Sequence, residues 1–189
     1  MNYPMPSNDN WITVPLANPQ ANLRLFCFPY AGGSSKIFRR WLKKLPANIE
    51  LCPVELPGRG NKIKLAPLNS LNFIVKELSQ QIQPYLDKPL AFFGHSMGGL
   101  LNFELTRLLY QKYHISPVHL FISASSAPQL PKSKPPIHSL PESDFINKLR
   151  DYNGTPNAVL ENQELMQLFL PVLRADFAVL ETYKYYHAP

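Results

Sequence analysis

The feature that most constrains this chain is a serine-centred turn between an apolar run of strand length and an amphipathic helical run. Residues 90–93 are apolar, and residues 94–98 read Gly-His-Ser-Met-Gly. Apolar side chains then recur at helical spacing, at Met97, Leu101, Leu105 and Leu108. This strand–turn–helix context distinguishes a nucleophile elbow, with Ser96 held in a strained turn above a sheet, from a chance match in a loop. Side chains at positions 94 and 98 would then collide with a neighbouring strand or helix.

Strand-like runs alternate with helical runs through the first two thirds of the chain. Strands are predicted at 23–28, 49–54, 90–93 and 118–123, and helices at 37–45, at 71–85 with Ser70 as N-cap, and after Ser96. Pro53 is tolerable in the second strand only where its missing N–H faces no partner. Apolar strands that alternate with helices predict an α/β fold, with a mostly parallel sheet covered by helices on both faces.

The pattern changes after Ser126. Residues 127–141 are rich in proline, and short helices are predicted at about 142–151, 161–170 and 172–185, the last two separated by Pro171. No strand pattern appears among them. We therefore expect one domain, 1–189, in which 127–185 form a helical lid over the carboxyl ends of the strands, where ligands bind in such sheets. A helical subdomain without a gating role is the alternative.

A glycine-containing loop at 29–33 follows the first predicted strand. Acyl transfer through Ser96 needs two preorganised N–H donors for the developing oxyanion. The backbone N–H of Met97, directly after the serine, is one expected donor. The loop is expected to provide the other from Ala31, with Tyr30 as the alternative. The remaining interpretation is that the loop is only a tight turn.

Composition excludes several classes of protein. The net charge is +6, but the basic pairs at 39–40, 43–44 and 132/134 form no dense block, which favours solvated faces over nucleic-acid binding. A mildly positive surface would suit an acidic protein partner. The first ten residues are polar, so we expect no signal peptide, and no apolar run approaches the ~20 residues of a membrane span. Cys27 and Cys52 lie in strand-like runs, and buried thiols indicate the reducing cytoplasm.

Four runs in the same order resemble the type II (external) thioesterases that accompany nonribosomal peptide and polyketide synthases. They are 25–33, Leu56-Pro57-Gly58-Arg59, 92–98 and 173–177. The resemblance implies an α/β-hydrolase fold with a helical lid. It also implies hydrolysis of acyl, aminoacyl or peptidyl thioesters on the phosphopantetheine arm of a carrier protein, which clears misprimed or stalled groups. Ser96 would be the nucleophile, with Met97 and Ala31 as oxyanion donors. The arm belongs to the carrier, so no cofactor or metal is expected, and the full-length protein is expected to be a monomer.

The resemblance is incomplete at the end of the chain. The catalytic aspartate of that family follows the strand after the lid and its histidine lies further on, so we expect both to be absent from these 189 residues. The terminal strands and helix would then be missing, the strand 118–123 would form an uncovered edge, and this form would be nearly inactive and poorly stable.

Local residues are poor substitutes for the missing pair. Asp144, Asp151 and Asp176 follow Ser96, but Asp176 falls within an apolar helical run. His187 is terminal, and His95 adjoins Ser96 and does not easily turn back onto its hydroxyl. His114 and His119 flank the start of a strand, at the wrong end of the sheet, which leaves His138. Two functions outside carrier-thioester hydrolysis stay open, a non-catalytic acyl- or carrier-binding module and a generic serine esterase or acyltransferase.

Overall fold

A parallel sheet forms the centre of the fold. The computed structural model describes residues 10–132, 134–152, 154–155 and 157–187. Within them the strands are β1 (Leu23–Phe28), β2 (Ile49–Pro53), β3 (Leu90–His95) and β4 (His119–Ser123), in the order β2-β1-β3-β4. Every neighbouring pair is parallel, with Leu25 opposite Leu51 and Ala91. All carboxyl ends therefore lie at one edge of the sheet, and the predicted α/β class is confirmed.

Helices cover the two faces of the sheet unequally. On one face, α1 (Leu71–Gln81) and α2 (Met97–Tyr113) pack with the strands into the main core, which includes Phe26, Phe28, Phe92, Ile74, Leu101 and Leu105. On the other face, Phe38 and its neighbours pack on Leu25, Leu51 and Ala91. The predicted cap of α1 is confirmed, because the Ser70 hydroxyl accepts a hydrogen bond from the Phe73 N–H over 3.4 Å.

Local structure differs from the predictions at one helix and at Pro171, and agrees with them at Pro53. The helix expected at 37–45 is a 3₁₀ helix, Ser35–Lys43. Pro53 lies on an edge strand, β2, where its missing N–H removes nothing from a central ladder, as predicted. Pro171 does not separate two helices. It lies inside α5 (Gln163–Thr182), where the buried side chains of Val172, Leu173 and Val179 keep the helix continuous despite one lost backbone hydrogen bond.

Among the described residues, three helices follow the proline-rich segment. They are α3 (Glu142–Tyr152), α4 (Asn157–Leu160) and α5, and they share a second core that includes Phe145, Leu149, Leu160, Met166 and Leu173. Val179 of α5 belongs instead to the main core, so this helix connects the two. A lid role for this region stays a prediction.

Strand β4 is the exposed strand of the described sheet. Leu120, Phe121 and Ile122 are each more than a third exposed. The segment 118–123 is thus the uncovered edge that the sequence predicts. The cover on both faces expected for a parallel sheet is incomplete at β4, whose residues are mostly exposed, whereas β2, at the other end of the described sheet, is mostly buried.

A buried ionic cluster lies at the amino ends of the strands. The Arg24 guanidinium donates to Glu50 Oε2 over 2.6 Å, to the Tyr85 carbonyl over 2.8 Å and to Asp87. The hydrogen bond from Arg24 is the largest of the effects that hold the pKa of Asp87 below its ordinary value. This cluster therefore joins β1, β2 and the turn before β3.

The two cysteines lie on neighbouring strands but face opposite sides of the sheet. Cys52 belongs to the main core with Phe26, and Cys27 to the core of the other face with Phe38. Both are free thiols, and burial raises the pKa of each. Within the described parts of the chain, no helix has both the length and the apolar character to cross a bilayer.

Candidate active site

Ser96 occupies a strained turn between β3 and α2. Its φ of 53° and ψ of −114° lie in a region that L-residues rarely adopt. Its N–H donates to the Ser123 carbonyl at the end of β4 over 2.8 Å. A Cβ at position 94 would lie 2.1 Å from the Gly98 oxygen, and one at position 98 would lie 2.1 Å from the Phe28 oxygen. The predicted collisions are therefore confirmed, and the chain makes this turn only with glycine at both positions.

The two predicted oxyanion donors belong to two different segments near Ser96, the first residue of α2 and the loop after β1. Met97 is the first residue of α2, where an α-helix provides no acceptor for the N–H. Ala31 lies in the loop after β1, which Gly32 turns with a φ of 77° and the Gly33 N–H closes onto the Tyr30 carbonyl over 2.8 Å. Ala31 and Ser96 line the same cavity. The structure thus brings the predicted loop to the predicted nucleophile, while the roles of both donors stay predictions.

That cavity, of about 270 Å³, lies between the carboxyl end of β3, the loop after β1 and the helices α3 and α5. Its walls are formed by Leu149 and Tyr152 of α3, by Leu173 and Phe177 of α5, and by the loop beside Ser96. The Phe177 ring meets Tyr152 edge-on at 5.5 Å between ring centroids. Largely apolar and aromatic walls suit the hydrocarbon part of an acyl group.

A second cavity, of about 260 Å³, lies against Ser96 on the side of β4. Ser96, Leu100, residues 124–128, Leu130, Lys132, Leu180 and Tyr183 line it. It shares Ser96 with the first cavity but not Ala31. Ser96 therefore borders two separate cavities.

All five histidines fall within the described residues, and none of them hydrogen-bonds to Ser96. His95 Nδ1 lies 3.0 Å from Ser123 Oγ, and His138 Nδ1 lies 2.5 Å from Glu181 Oε2. His187 Nδ1 lies 3.4 Å from the Tyr185 hydroxyl. His114 ends α2 and His119 begins β4, in agreement with their predicted positions. In the described parts of the chain, no group of three or more His, Cys, Asp or Glu side chains is arranged to hold a metal.

Sequence reasoning missed a buried ion pair beside the site. Arg59, predicted only as part of a turn, donates two hydrogen bonds to Asp176 of α5, and Asp176 also accepts one from the Gly32 N–H. The sequence contains a signal for this pair. An acidic residue, Asp176, lies in an apolar helical run where a buried charge needs a partner, and Arg59 follows Pro57-Gly58. The other carboxylates considered, Asp144 and Asp151, lie exposed on α3.

The chain is similar in sequence to a family of proteins and to several characterised relatives. The family described as thioesterase domain matches residues 23–189. Gramicidin S biosynthesis protein GrsT of Aneurinibacillus migulanus is 47% identical over 177 residues, which are 94% of this chain and 69% of that protein. The medium-chain S-acyl fatty acid synthase thioesterase of Rattus norvegicus is 33% identical over 97% of this chain and 71% of its own length.

A solved structure agrees with these sequence relatives. YbtT, described as a type II thioesterase from the yersiniabactin NRPS/PKS biosynthetic pathway, superposes with a TM-score of 0.80 at 38% identity. The alignment covers 93% of this chain and 71% of YbtT. The parallel sheet with its helices thus has the architecture of an α/β-hydrolase thioesterase.

Proposed function

The chain belongs to the thioesterase family and has the α/β-hydrolase fold, and from this premise we propose that Ser96 is the nucleophile of a thioester hydrolase. The observation that supports the proposal is the backbone of Ser96. Its positive φ is maintained by two glycines that no larger residue can replace without moving backbone, and Ser96 lines two cavities. Strained backbone conformations of this kind cluster at functional sites, where they hold a reactive side chain in position.

The proposed chemistry begins with attack of Ser96 Oγ on the thioester carbonyl carbon while the hydroxyl proton passes to a base. The carbonyl oxygen becomes an oxyanion, which the N–H groups of Met97 and Ala31 stabilise. Collapse of this intermediate breaks the C–S bond and releases the thiol. Water then adds to the acyl-enzyme in the same way, and the acid leaves as the Ser96 oxygen regains a proton.

The base must approach Ser96 from the side that the oxyanion donors leave open. Ala31 and the helical region line the first cavity, so the second cavity, beside β4 and Tyr183, is the proposed position of the base. Among the described residues, three histidines near this region in the chain have their contacts elsewhere: His95 with Ser123, His138 with Glu181 and His187 with Tyr185. Ser96 is therefore expected to be slow in the chain alone, since a positioned general base contributes about 10²–10⁴-fold.

The proposed substrate is an acyl, aminoacyl or peptidyl thioester on the phosphopantetheine arm of a carrier protein. Two of the relatives are named for peptide or mixed peptide–polyketide pathways, gramicidin S and yersiniabactin. The two buried free thiols support a cytoplasmic location, where such synthesis machinery would be met. The arm comes with the carrier, so the proposed reaction needs no further cofactor.

A medium-chain fatty acyl thioester is the second candidate substrate, supported by the apolar walls of the first cavity. Leu149, Leu173 and Phe177 would contact a hydrocarbon chain as readily as an aminoacyl side chain. Rates for octanoyl and aminoacyl groups on the same carrier protein separate the two candidates.

Chemical rescue tests the proposed nucleophile. Imidazole, which is small enough for the second cavity, is expected to increase hydrolysis of an acyl-carrier thioester by the unmodified chain in proportion to its neutral fraction. Ser96→Ala is expected to leave only the reaction of imidazole with thioester in free solution. Ser125→Ala, in the same cavity, is the matched control that keeps the rescue. Equal rescue with Ser96→Ala would exclude Ser96 as the nucleophile, and binding without any rescued turnover would favour the non-catalytic module.

A further inference from the structure

A buried ion pair fixes Arg59 to Asp176 next to the proposed site. Arg59 Nη1 donates to Asp176 Oδ2 over 2.7 Å, and Nη2 donates to Oδ1 over 2.8 Å. The two side chains are 3% and 0% exposed. A bidentate arginine–carboxylate pair has a fixed planar geometry, so the turn at 56–60 and helix α5 are held at a defined distance from each other.

The same carboxylate also holds the loop beside Ser96. The Gly32 N–H donates to Asp176 Oδ2 over 2.7 Å, and Arg59 Nη1 lies 3.4 Å from the Gly33 carbonyl oxygen. Both ends of the ion pair therefore contact the two residues that directly follow Ala31. The Ala31 carbonyl and the Gly32 N–H belong to one peptide plane, so a fixed Gly32 N–H restricts the rotation of Ala31.

Packing between the loop and α5 is equally close. A Cβ at Gly32 would lie 2.7 Å from Leu173 Cδ2, so the loop backbone rests directly on this side chain. Leu173 precedes Asp176 by one helical turn, and both point at the loop. The position of the loop is thus set by α5 through one apolar contact and one hydrogen bond.

A contribution to the stability of the fold does not by itself explain why Arg59 and Asp176 are paired beside this loop. A buried ion pair contributes little compared with apolar side chains of the same volume, because two charges must be removed from water. We infer that Arg59 and Asp176 are positioning residues, which hold the Ala31 N–H in the direction that the oxyanion requires. This inference rests on the proposed function, since Ala31 is a proposed oxyanion donor.

Two ligands distinguish a positioning role of Arg59 and Asp176 from a purely structural role. An alkyl boronic acid adds to Ser96 Oγ, with loss of the hydroxyl proton to solvent, and gives a tetrahedral boronate anion that depends on the oxyanion donors. The matching acyl-pantetheine amide has no tetrahedral centre and reports binding in the cavity alone. A residue with a merely structural role changes the two affinities together.

The deciding variant is the double substitution Arg59→Met with Asp176→Leu. It leaves no unpaired buried charge, so we expect it to fold, but the Gly32 N–H loses its acceptor. Asp176→Asn is measured beside it. We expect boronate affinity to fall about 100-fold in the double variant, the effect of a displacement of about 1 Å at a reacting centre, with the amide affinity unchanged. Glu50→Gln, which breaks the buried pair with Arg24 at the opposite ends of the strands, is expected to change neither affinity.

The outcomes are distinguishable. Equal boronate affinity in the unmodified chain and a folded double variant would overturn the positioning role while leaving the proposed function intact. Parallel loss of boronate and amide affinity would assign the pair a structural role only. If the unmodified chain forms no tetrahedral boronate in ¹¹B NMR, the proposed function is wrong and the positioning role falls with it.

Discussion

At the scale of single residues, the turn around Ser96 carries a cost that the surrounding structure has to offset. A non-glycine residue at positive φ typically costs about 1–3 kcal/mol. Here the backbone is fixed from both sides, because the Ser96 N–H donates to Ser123 and the chain on either side contacts neighbouring backbone at Gly94 and Gly98. The strained serine therefore depends on close backbone packing more than on any side-chain contact.

Gly98→Ala tests this dependence. The new Cβ would lie 2.1 Å from the Phe28 oxygen, so β1 or α2 has to move. Overpacking against backbone costs about 3 kcal/mol, and alanine recovers about 1 kcal/mol of helix propensity. The expected net loss is about 2 kcal/mol, measured as a lower urea midpoint by tryptophan fluorescence. Gly154→Ala is the control, since nothing lies within 4 Å of its Cβ, and equal midpoints for both variants would contradict the packing argument.

At the scale of elements, the sequence predicts best where one local pattern decides the structure. The strands β1 to β4 follow from apolar runs ended by proline, glycine or polar residues, and the Ser96 turn follows from two glycines at fixed spacing. Pro171 is where local reasoning fails, because tertiary burial keeps α5 continuous. The ion pair of Asp176 is missed for a related reason. Its partner Arg59 is 117 positions away in the sequence, and no local pattern connects the two residues.

The cluster around Arg24 predicts how stability changes with acid. The pKa of Asp87 in the folded chain is below its ordinary value of about 3.9, so the ionised carboxylate stabilises the fold. This contribution is fully present above the ordinary pKa and is lost as the pH falls through the folded pKa. Asp87→Asn is therefore expected to lower the urea midpoint at pH 7 and to converge with the unmodified chain on acidification.

An exposed acidic residue provides the control for this prediction. Asp151 contacts Lys148 over 3.3 Å, with both side chains more than half exposed. Asp151→Asn should therefore leave the midpoint nearly unchanged at every pH, because exposed pairs contribute little. A difference between Asp87→Asn and the unmodified chain that stays constant down to pH 2 would show that the effect does not come from ionisation of Asp87.

At the scale of the whole molecule, positive charge is concentrated beside the loop that contains Ala31. The 3₁₀ helix begins two residues after Gly33, and it and the next residue expose five cations: Lys36, Arg39, Arg40, Lys43 and Lys44. None of the ion pairs between described residues involves them. With a net charge of +6, this surface would attract an acidic partner to the part of the molecule that follows the Ala31 loop.

Salt should therefore weaken binding of an acidic carrier protein whose arm holds a non-hydrolysable acyl amide. We expect the carrier Kd to rise on the order of tenfold between low and high ionic strength, while the free acyl-pantetheine amide is unaffected. Arg39→Gln with Arg40→Gln should reduce this salt dependence. Lys148→Gln, a cation on α3 that already has a carboxylate partner, should not. Equal salt dependence in all three proteins would place the carrier elsewhere on the surface.

The opposite orientation of Cys27 and Cys52 gives the chain a property that is useful at the bench. Both native thiols are enclosed in the two cores, and their raised pKa keeps them as unreactive thiols near neutral pH. A cysteine introduced on the outer surface of α3 would thus be the one site that maleimide reagents modify. A fluorophore or spin label placed there would report changes in the mobility and environment of α3 during turnover, with no need to remove the natural cysteines.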